Sequence, residues 1–281
     1  MMHRAIALLF LLAAIPQPAT EWDQWREHRR TRLLADDSWL TLVGLFWLHD
    51  GTNDVTLPAN PPIKTQFILK NGHVTLLPAA RLNVKSPLPL HDDTESSPTF
   101  VRAGTLSFVA IKRGDVKGDH YGIRVKDSAS EGRKNFKPLE YFSYNPAYRV
   151  TAHFEPYNPP HKISITNVLG MTTDEISPGA LVFKLGGKTY RIDPIWDQSD
   201  PEPRELFIIF KDATSGKETY GAARYLYAHP PDATGNTIVD FNRSYNPPCV
   251  FTPYATCPLP PPQNRLPIRV EAGEKKYAGH A

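Results

Sequence analysis

Polar side chains of the kinds that carry out acid–base chemistry or hold an anion are concentrated near the C-terminus of this sequence. They are Glu218, Tyr220 and Arg224 on one face of a predicted hairpin, followed by Asp240, Asn242, Arg243, Tyr245 and Asn246. Because side chains alternate between the two faces of a strand, Asp240 and Asn242 are predicted to share a face. If the two segments are neighbours, carboxylate, guanidinium, amide and phenol groups converge on one site.

Two functional interpretations of these residues stay open. In the first, which we favour, the chain is not an enzyme and binds a small ligand or a partner at this place. In the second, it is an enzyme of an unrecognised type, in which Asp240 is the acid or base. Arg224 or Arg243 would then hold an anionic group, and Tyr245 or Cys249 would assist.

A purely structural interpretation competes with both and is the commoner outcome for buried polar groups. Asp240 and Arg224 would form a buried ion pair, and Asn242 and Asn246 would hydrogen-bond the loop backbone. Polar groups that are buried in a β fold must be paired, so such groups often do no more than hold a fold together.

Cys249 and Cys257 are the only two cysteines, and both lie in the C-terminal segment. An even number of cysteines in an exported protein first indicates a disulfide, which we predict here. A reactive thiol at Cys249 needs a neighbouring base or positive charge, and Arg243 is the only cation nearby in the sequence. Two cysteines without companion ligands fall short of a zinc site.

Two groups of basic residues could receive an anion, although a solvated surface is the favoured interpretation of both. One is the 26–32 stretch of a predicted helix, whose charged face is typical of a helix surface. The other comprises Lys112, Arg113, Arg124, Lys126, Arg133 and Lys134. Lysine on an edge strand commonly protects against aggregation, and this explains the second group without a ligand.

The familiar catalytic, cofactor and metal motifs are missing from the sequence. It has no Gly-x-Ser-x-Gly elbow and no Gly-x-Gly-x-x-Gly loop, and its ten histidines include no His-Glu-x-x-His. A formal net charge of +3 over 281 residues gives no bulk attraction for nucleic acid. We therefore predict no cofactor, no metal site and no nucleic-acid partner, and we expect the partner to be a small molecule or an envelope component.

Short apolar runs separated by turn residues dominate the chain after residue 39 and predict a mainly β fold. The 205–210 run is apolar on both faces, which predicts a central strand, with 218–227 as its partner. Prolines crowd the segment after residue 247, where Phe251 and Tyr254 argue against disorder. We predict two antiparallel sandwich- or barrel-like units after one N-terminal helix, with an ordered proline-rich C-terminal cover.

The predicted organisation is a signal peptide at 1–19, a helix at 20–35, a first β unit at 36–127, a connector at 128–138 and a second β unit with its tail at 139–281. Arg4 precedes an apolar run at 5–15 that is too short to cross a bilayer, which needs about 20 residues. We therefore expect export to the periplasm or the extracellular space, with no transmembrane anchor after cleavage.

Several segments resemble a bacterial and archaeal family called domain of unknown function 1684. They are 39–48, 122–127, 167–170, 210–220 and 240–275, the last with paired cysteines among Asn-Pro-Pro and Pro-Pro-Pro. The resemblance spans nearly the whole chain after the leader. The family name implies no established activity, so the resemblance assigns no catalytic residue.

Overall fold

The computed structural model describes residues 18–196 and 205–279, and it confirms a mainly β fold after one N-terminal helix. Most of the predicted signal peptide therefore lies outside the described residues. The helices are α1 Pro18–Leu33 and α2 Glu131–Lys134. The strands are β1 Leu42–Trp47, β2 Gly51–Leu57, β3 Ile63–Lys70, β4 His73–Leu76, β5 Leu88–Leu90, β6 Val101–Ala103, β7 Leu106–Arg113, β8 His120–Asp127, β9 Arg149–Thr166, β10 Thr172–Leu185, β11 Lys188–Ile192, β12 Ile195–Trp196, β13 Leu206–Phe210, β14 Arg224–Ala228 and β15 Asn236–Asp240. Short 3-10 helices span Trp39–Thr41, Ala80–Leu82, Pro146–Tyr148, Phe241–Arg243, Pro248–Val250 and Pro262–Asn264.

The N-terminal helix α1 starts two residues before its predicted boundary, at Pro18, a residue that suits the first helical turn. The helix packs against the C-terminal part of the chain. The Trp22 indole N–H donates to the Asn242 carbonyl at 2.8 Å, and Arg243 forms an ion pair with Glu21 at 3.1 Å. These contacts fix which face of α1 is turned towards the β sheets.

The first half of the chain forms two four-stranded antiparallel sheets, in the orders β2-β3-β4-β5 and β1-β8-β7-β6. Alternate residues of β3 are buried, as expected for a sheet with one face on a core. Phe67 of β3 and Phe108 of β7 meet edge to face with ring centroids 5.8 Å apart. The apolar core of this half therefore lies between the two sheets.

The second half contains a sheet of order β11-β10-β9-β15 and a smaller one of order β12-β13-β14. The prediction that 205–210 is a central strand is confirmed, because β13 has β12 on one side and β14 on the other. Ile208 and Phe210 pack into the main core with Phe183 and Phe241. The opposite face of β13, which carries Phe207, belongs to a second apolar cluster.

The predicted strand 218–227 is wrong in its first half. The partner of β13 begins only at Arg224, and the residues before it form a hydrogen-bonded turn. The Thr214 side-chain oxygen lies 2.9 Å from both carboxylate oxygens of Asp212 and 2.9 Å from the Thr219 hydroxyl. This side-chain network favours the turn over further strand pairing, since such groups compete with the backbone for hydrogen bonds.

The expected strand through Asp240 and Asn242 also ends earlier than predicted. Strand β15 stops at Asp240, and Phe241–Arg243 is a turn of 3-10 helix. The Asp240 carboxylate accepts from the Asn242 backbone N–H at 3.1 Å, which is the usual role of aspartate at a helix start. Asp240 and Asn242 therefore do not alternate on a strand.

The proline-rich tail is ordered, as predicted, and it also contacts the first half of the chain, which was not predicted. The Thr252 hydroxyl donates to the Leu42 carbonyl at 3.0 Å, which attaches the tail to the first half. The Asn264 side chain is buried and donates to the carbonyls of Asp193 and Ile209 at 2.9 and 3.0 Å. Within the described ranges, no helix is long and apolar enough to cross a membrane.

The predicted disulfide is not present in the structure, where Cys249 and Cys257 are both free thiols. The Cys249 backbone N–H donates to the Cys257 sulfur at 3.1 Å, so the two residues are in contact without a covalent bond. Hydrogen bonding to the Cys257 thiol lowers the pKa of Cys249. The same hydrogen bond, together with burial, raises the pKa of Cys257, which leaves that thiol protonated.

Candidate functional site

A cavity of about 530 Å³ lies where α1, β8, β13–β14 and the tail meet. Its aromatic lining residues are Trp25, Trp39, Phe207, Tyr225, Tyr227 and Tyr245. Its basic lining residues are His28, Arg29, Arg32, Arg113 and Arg124. Among the described residues that line it, none is a carboxylate or a side-chain amide. The cavity thus combines flat apolar surfaces with guanidinium groups.

One face of α1 supplies four of these side chains. Trp25, His28, Arg29 and Arg32 follow the i, i+3, i+4, i+7 spacing that places residues on a single helix face. The 26–32 stretch is therefore solvated only in part, because Arg29 and Arg32 line the cavity while Arg30 pairs with Glu27 at the surface.

The aromatic wall, which we define as Phe207, Tyr225, Tyr227 and Tyr245, is built by strand pairing. Phe207 of β13 lies directly opposite Tyr227 of β14, and their rings stack with centroids 4.9 Å apart. Tyr225 is two residues before Tyr227 and so projects from the same face. Reciprocal backbone hydrogen bonds of 3.0 and 2.9 Å attach Tyr245 to Tyr225, and the Tyr245 ring lies parallel to that of Tyr227 at 6.4 Å.

Arg124 of β8 is the most unusual group in the cavity. Only 8% of the residue is exposed, and its Nε has no hydrogen-bond partner within the described part of the chain. The guanidinium lies 5.3 Å from the Trp39 ring centroid, and Nη1 is 3.5 Å from the Asp93 carboxylate. Burial and repulsion from Arg113 lower the pKa of Arg124 to about 10, so it remains charged at neutral pH. A buried guanidinium with an unused N–H is suited to bind an anion.

Two further arginines are already paired. Arg113 forms a two-pronged ion pair with Asp93, at 2.9 and 2.7 Å, and its Nε donates to the Thr256 hydroxyl of the tail at 3.2 Å. Arg29 donates to the Glu274 carboxylate at 2.9 Å and to the Asn246 carbonyl at 2.9 Å. Both pairs orient the cavity walls, because bidentate and charge-assisted bonds fix geometry.

The positive charges of the cavity outnumber the negative ones next to it. Arg113 and Arg124 share the single negative charge of Asp93, which can neutralise only one of them. Glu274 neutralises the charge of Arg29. Arg32 makes no ion pair with any described carboxylate. Among the described residues, two positive charges of the cavity therefore have no carboxylate partner, that of the exposed Arg32 and one of Arg113 and Arg124. Such an excess of positive charge attracts anions.

Among the predicted ligand-binding residues, Tyr245 alone lines this cavity, and Cys257 of the predicted disulfide lines it as well. Arg224 is 2% exposed and pairs with Asp212 at 3.1 Å, not with Asp240 as the structural interpretation had it. Arg224 also donates to the carbonyls of Val270 and Ala272, so its donors face the protein interior.

Asp240 caps its 3-10 turn and lies 3.9 and 3.7 Å from Arg149 and Arg243. Asn242 exchanges hydrogen bonds of 3.0 Å with the backbone of Asn145. Neither of these side chains lines the cavity, and their contacts are with the protein itself.

The other predicted site residues are also separate from the cavity. The Asn246 amide donates to the Lys275 carbonyl at 2.9 Å, and Glu218 forms an ion pair with Arg269 at 2.7 Å near the surface. Burial and a hydrogen bond with Cys249 raise the pKa of Tyr220, which keeps its phenol neutral. Whether any of these residues binds a ligand stays a prediction.

Sequence reasoning missed most of the cavity, although two signals for it were present. Trp25, Arg29 and Arg32 have the spacing of one helix face, and Arg113 and Arg124 belong to the second basic group. What could not be read from the chain is that these two groups line one cavity together with the aromatic wall. In the described part of the chain, no group of three or more potential ligand side chains is arranged to hold a metal ion.

Comparisons with known proteins agree with the resemblance seen in the sequence. No curated protein matches the chain. A solution NMR structure of an uncharacterised protein from Haloarcula marismortui is 32% identical, covers 53% of this chain and 81% of its own, and gives a TM-score of 0.43. A model of the family described as a protein of unknown function, DUF1684, matches residues 134–275. Because this match spans half of the sequence, the chain belongs to the DUF1684 family.

Proposed function

We propose that the protein binds a small organic anion with a flat apolar part in the cavity between α1, β8 and the aromatic wall. The observation that carries this proposal is Arg124, a buried guanidinium with an unpartnered Nε at the edge of an aromatic surface. Burying a charge is unfavourable unless it is paired, and Asp93 is shared with Arg113. An anionic ligand supplies the missing partner.

The volume and lining of the cavity support the same proposal. About 530 Å³ lies within the range of roughly 300 to 1,000 Å³ that is typical of small-molecule sites. Such sites are mostly apolar and hold a few polar groups that fix the orientation of the ligand, and here the aromatic wall and the arginines take these two roles.

Isothermal titration calorimetry with benzoate, phenyl phosphate and adenosine monophosphate tests the proposal. We expect at least one of these anions to bind, and Arg124→Met to weaken its affinity about thirtyfold, from the loss of about 2 kcal/mol of charge-assisted hydrogen bonding. Arg191→Met is the matched control, since Arg191 is an exposed arginine paired with Glu155 outside the cavity. An absence of heat with all three anions, or equal losses in both variants, overturns the proposal.

We also propose that the chain is exported. The support lies in the sequence, where Arg4 precedes an apolar run at 5–15 and a Pro-Gln-Pro-Ala segment. Mass spectrometry of the mature protein from its native host should find a new N-terminus near Ala19. An intact N-terminus in a cytoplasmic fraction would contradict export.

A further inference from the structure

The charge balance of the cavity specifies the ligand more closely. We propose that the ligand is a phosphate monoester that also contains a planar aromatic ring, as an aryl phosphate does. This inference rests on the proposed function, because it concerns the same cavity. It adds the charge of the anionic group and the nature of the ring.

Two positive charges remain after the pairs with Asp93 and Glu274 are counted, and they point to a dianion. A carboxylate or a sulfonate ligand carries one negative charge and so balances only one of them. A phosphate monoester carries a charge of about −1.5 to −2 at pH 7 and so balances both. Arg32, on α1, and Arg124, on β8, both line the cavity.

The available donors fit the oxygens of a phosphate. The Arg124 guanidinium lines the cavity and its contact with Asp93 is as long as 3.5 Å, and the Arg32 guanidinium makes no ion pair with a described carboxylate. A phosphate monoester has three strong acceptor oxygens, and planar guanidinium groups bind them with two parallel hydrogen bonds. Arg113 has its Nη atoms engaged by Asp93, so it orients that carboxylate and does not itself offer them to the phosphate.

The lining favours an aromatic ring over a sugar as the part that contacts the wall. Sugar hydroxyls need acceptors as well as donors, and the described lining offers no carboxylate and no side-chain amide. An aromatic ring needs only flat apolar surface, which Phe207 and Tyr227 present with their rings stacked 4.9 Å apart. Stacking of this kind tolerates different bases or rings, since each has a π face.

The test compares ligands that share a ring but differ in charge, on the full chain at pH 8. Phenyl phosphate is a dianion there, because its second pKa is about 6, and benzenesulfonate is a monoanion with the same ring. We expect phenyl phosphate to bind at least about tenfold more tightly than benzenesulfonate. We also expect it to bind at least about tenfold more tightly than inorganic phosphate, which lacks the ring.

Variants on α1 show whether Arg32 accounts for this preference. Arg32→Gln should weaken phenyl phosphate binding about fivefold and affect benzenesulfonate less, because the attraction scales with the charge of the ligand. Arg30→Gln is the matched control, a nearby arginine that pairs with Glu27 away from the cavity and should change neither affinity.

The outcomes separate this inference from the proposed function. Equal affinities for phenyl phosphate and benzenesulfonate would overturn the dianion preference while an anion site remained. Equal affinities for phenyl phosphate and inorganic phosphate would overturn the aromatic part. Failure of every aromatic anion to bind would overturn the proposed function itself. Equal effects of Arg32→Gln and Arg30→Gln would remove Arg32 from the site.

Discussion

Replacing Arg124 with methionine is expected to make the protein more stable while weakening ligand binding about thirtyfold. The pKa of this buried guanidinium falls from 12.5 to about 10, which corresponds to about 3 kcal/mol by which folding disfavours its charged form. Methionine removes that charge and has an unbranched apolar side chain that fills part of the same space. The variant loses a contact between a cation and the Trp39 ring, worth about 1 kcal/mol.

After a further allowance for imperfect packing, a gain of about 1 to 2 kcal/mol in the free energy of unfolding remains, or about 2 to 6 °C in Tm. Urea denaturation at pH 7 measures it, with Arg191→Met as a control that should stay within about 1 kcal/mol of the wild type. We expect an increase in the free energy of unfolding because the desolvation of Arg124 is the largest cause of its lowered pKa.

The lowered pKa of Arg124 also determines how the stability difference between the wild type and Arg124→Met depends on pH. Below about pH 10 the folded and unfolded states both hold the Arg124 proton, so the unfavourable charge is fully present and the variant keeps its whole advantage. As the pH rises through about 10, the folded wild type releases this proton more readily than the unfolded chain does. The wild type therefore gains stability, and the difference in the free energy of unfolding between it and Arg124→Met becomes smaller. If Arg124→Met instead lowers the free energy of unfolding by more than about 1 kcal/mol, Arg124 is a structural anchor and the reasoning is wrong.

Three further outcomes are expected. Asp212→Asn should lower the free energy of unfolding in urea by about 3 to 5 kcal/mol, because it leaves the buried charge of Arg224 without its partner. A loss of less than about 1 kcal/mol would contradict this expectation. Asn264→Ala should lower the free energy of unfolding by about 2 to 3 kcal/mol, because the buried carbonyls of Asp193 and Ile209 lose their hydrogen-bond donor. The tail should then be cut more readily in limited proteolysis, and an unchanged digestion pattern would show that Asn264 does not attach the tail. Iodoacetamide should modify Cys249 before Cys257, because the pKa of the Cys249 thiol is lowered and that of the Cys257 thiol is raised. Mass spectrometry measures the order of labelling, and the reverse order would show that solvent access and not the thiolate fraction decides reactivity.

The elements of the fold were predictable where a local pattern is strong. The 205–210 run is apolar on both faces, and β13 is indeed central because apolar residues on both faces require cover on both sides. The prediction failed at 218–223, where the Asp212, Thr214 and Thr219 side chains bind one another and close a turn. Strand propensity does not register such a network, because it depends on side-chain geometry within the turn.

The site was less predictable than the fold because its parts are distant in the chain. Tyr245 was singled out in the sequence, but its neighbours in the aromatic wall looked like ordinary residues of a β hairpin. Asp93, which leaves Arg124 only partly paired, lies in a loop without any periodic pattern. Only the packing of α1 and β8 against β13–β14 brings these residues together.

The two chemical halves of the cavity come from different parts of the chain. All four residues of the aromatic wall lie within residues 134–275, which the DUF1684 model matches, whereas Arg29, Arg32, Arg113 and Arg124 lie before it. The matched segment therefore provides the aromatic wall, and the preceding residues provide the positive charge together with Trp25 and Trp39. Since the proposed specificity depends on charge, it resides in α1 and β7–β8, and neither part of the chain contains a complete site alone.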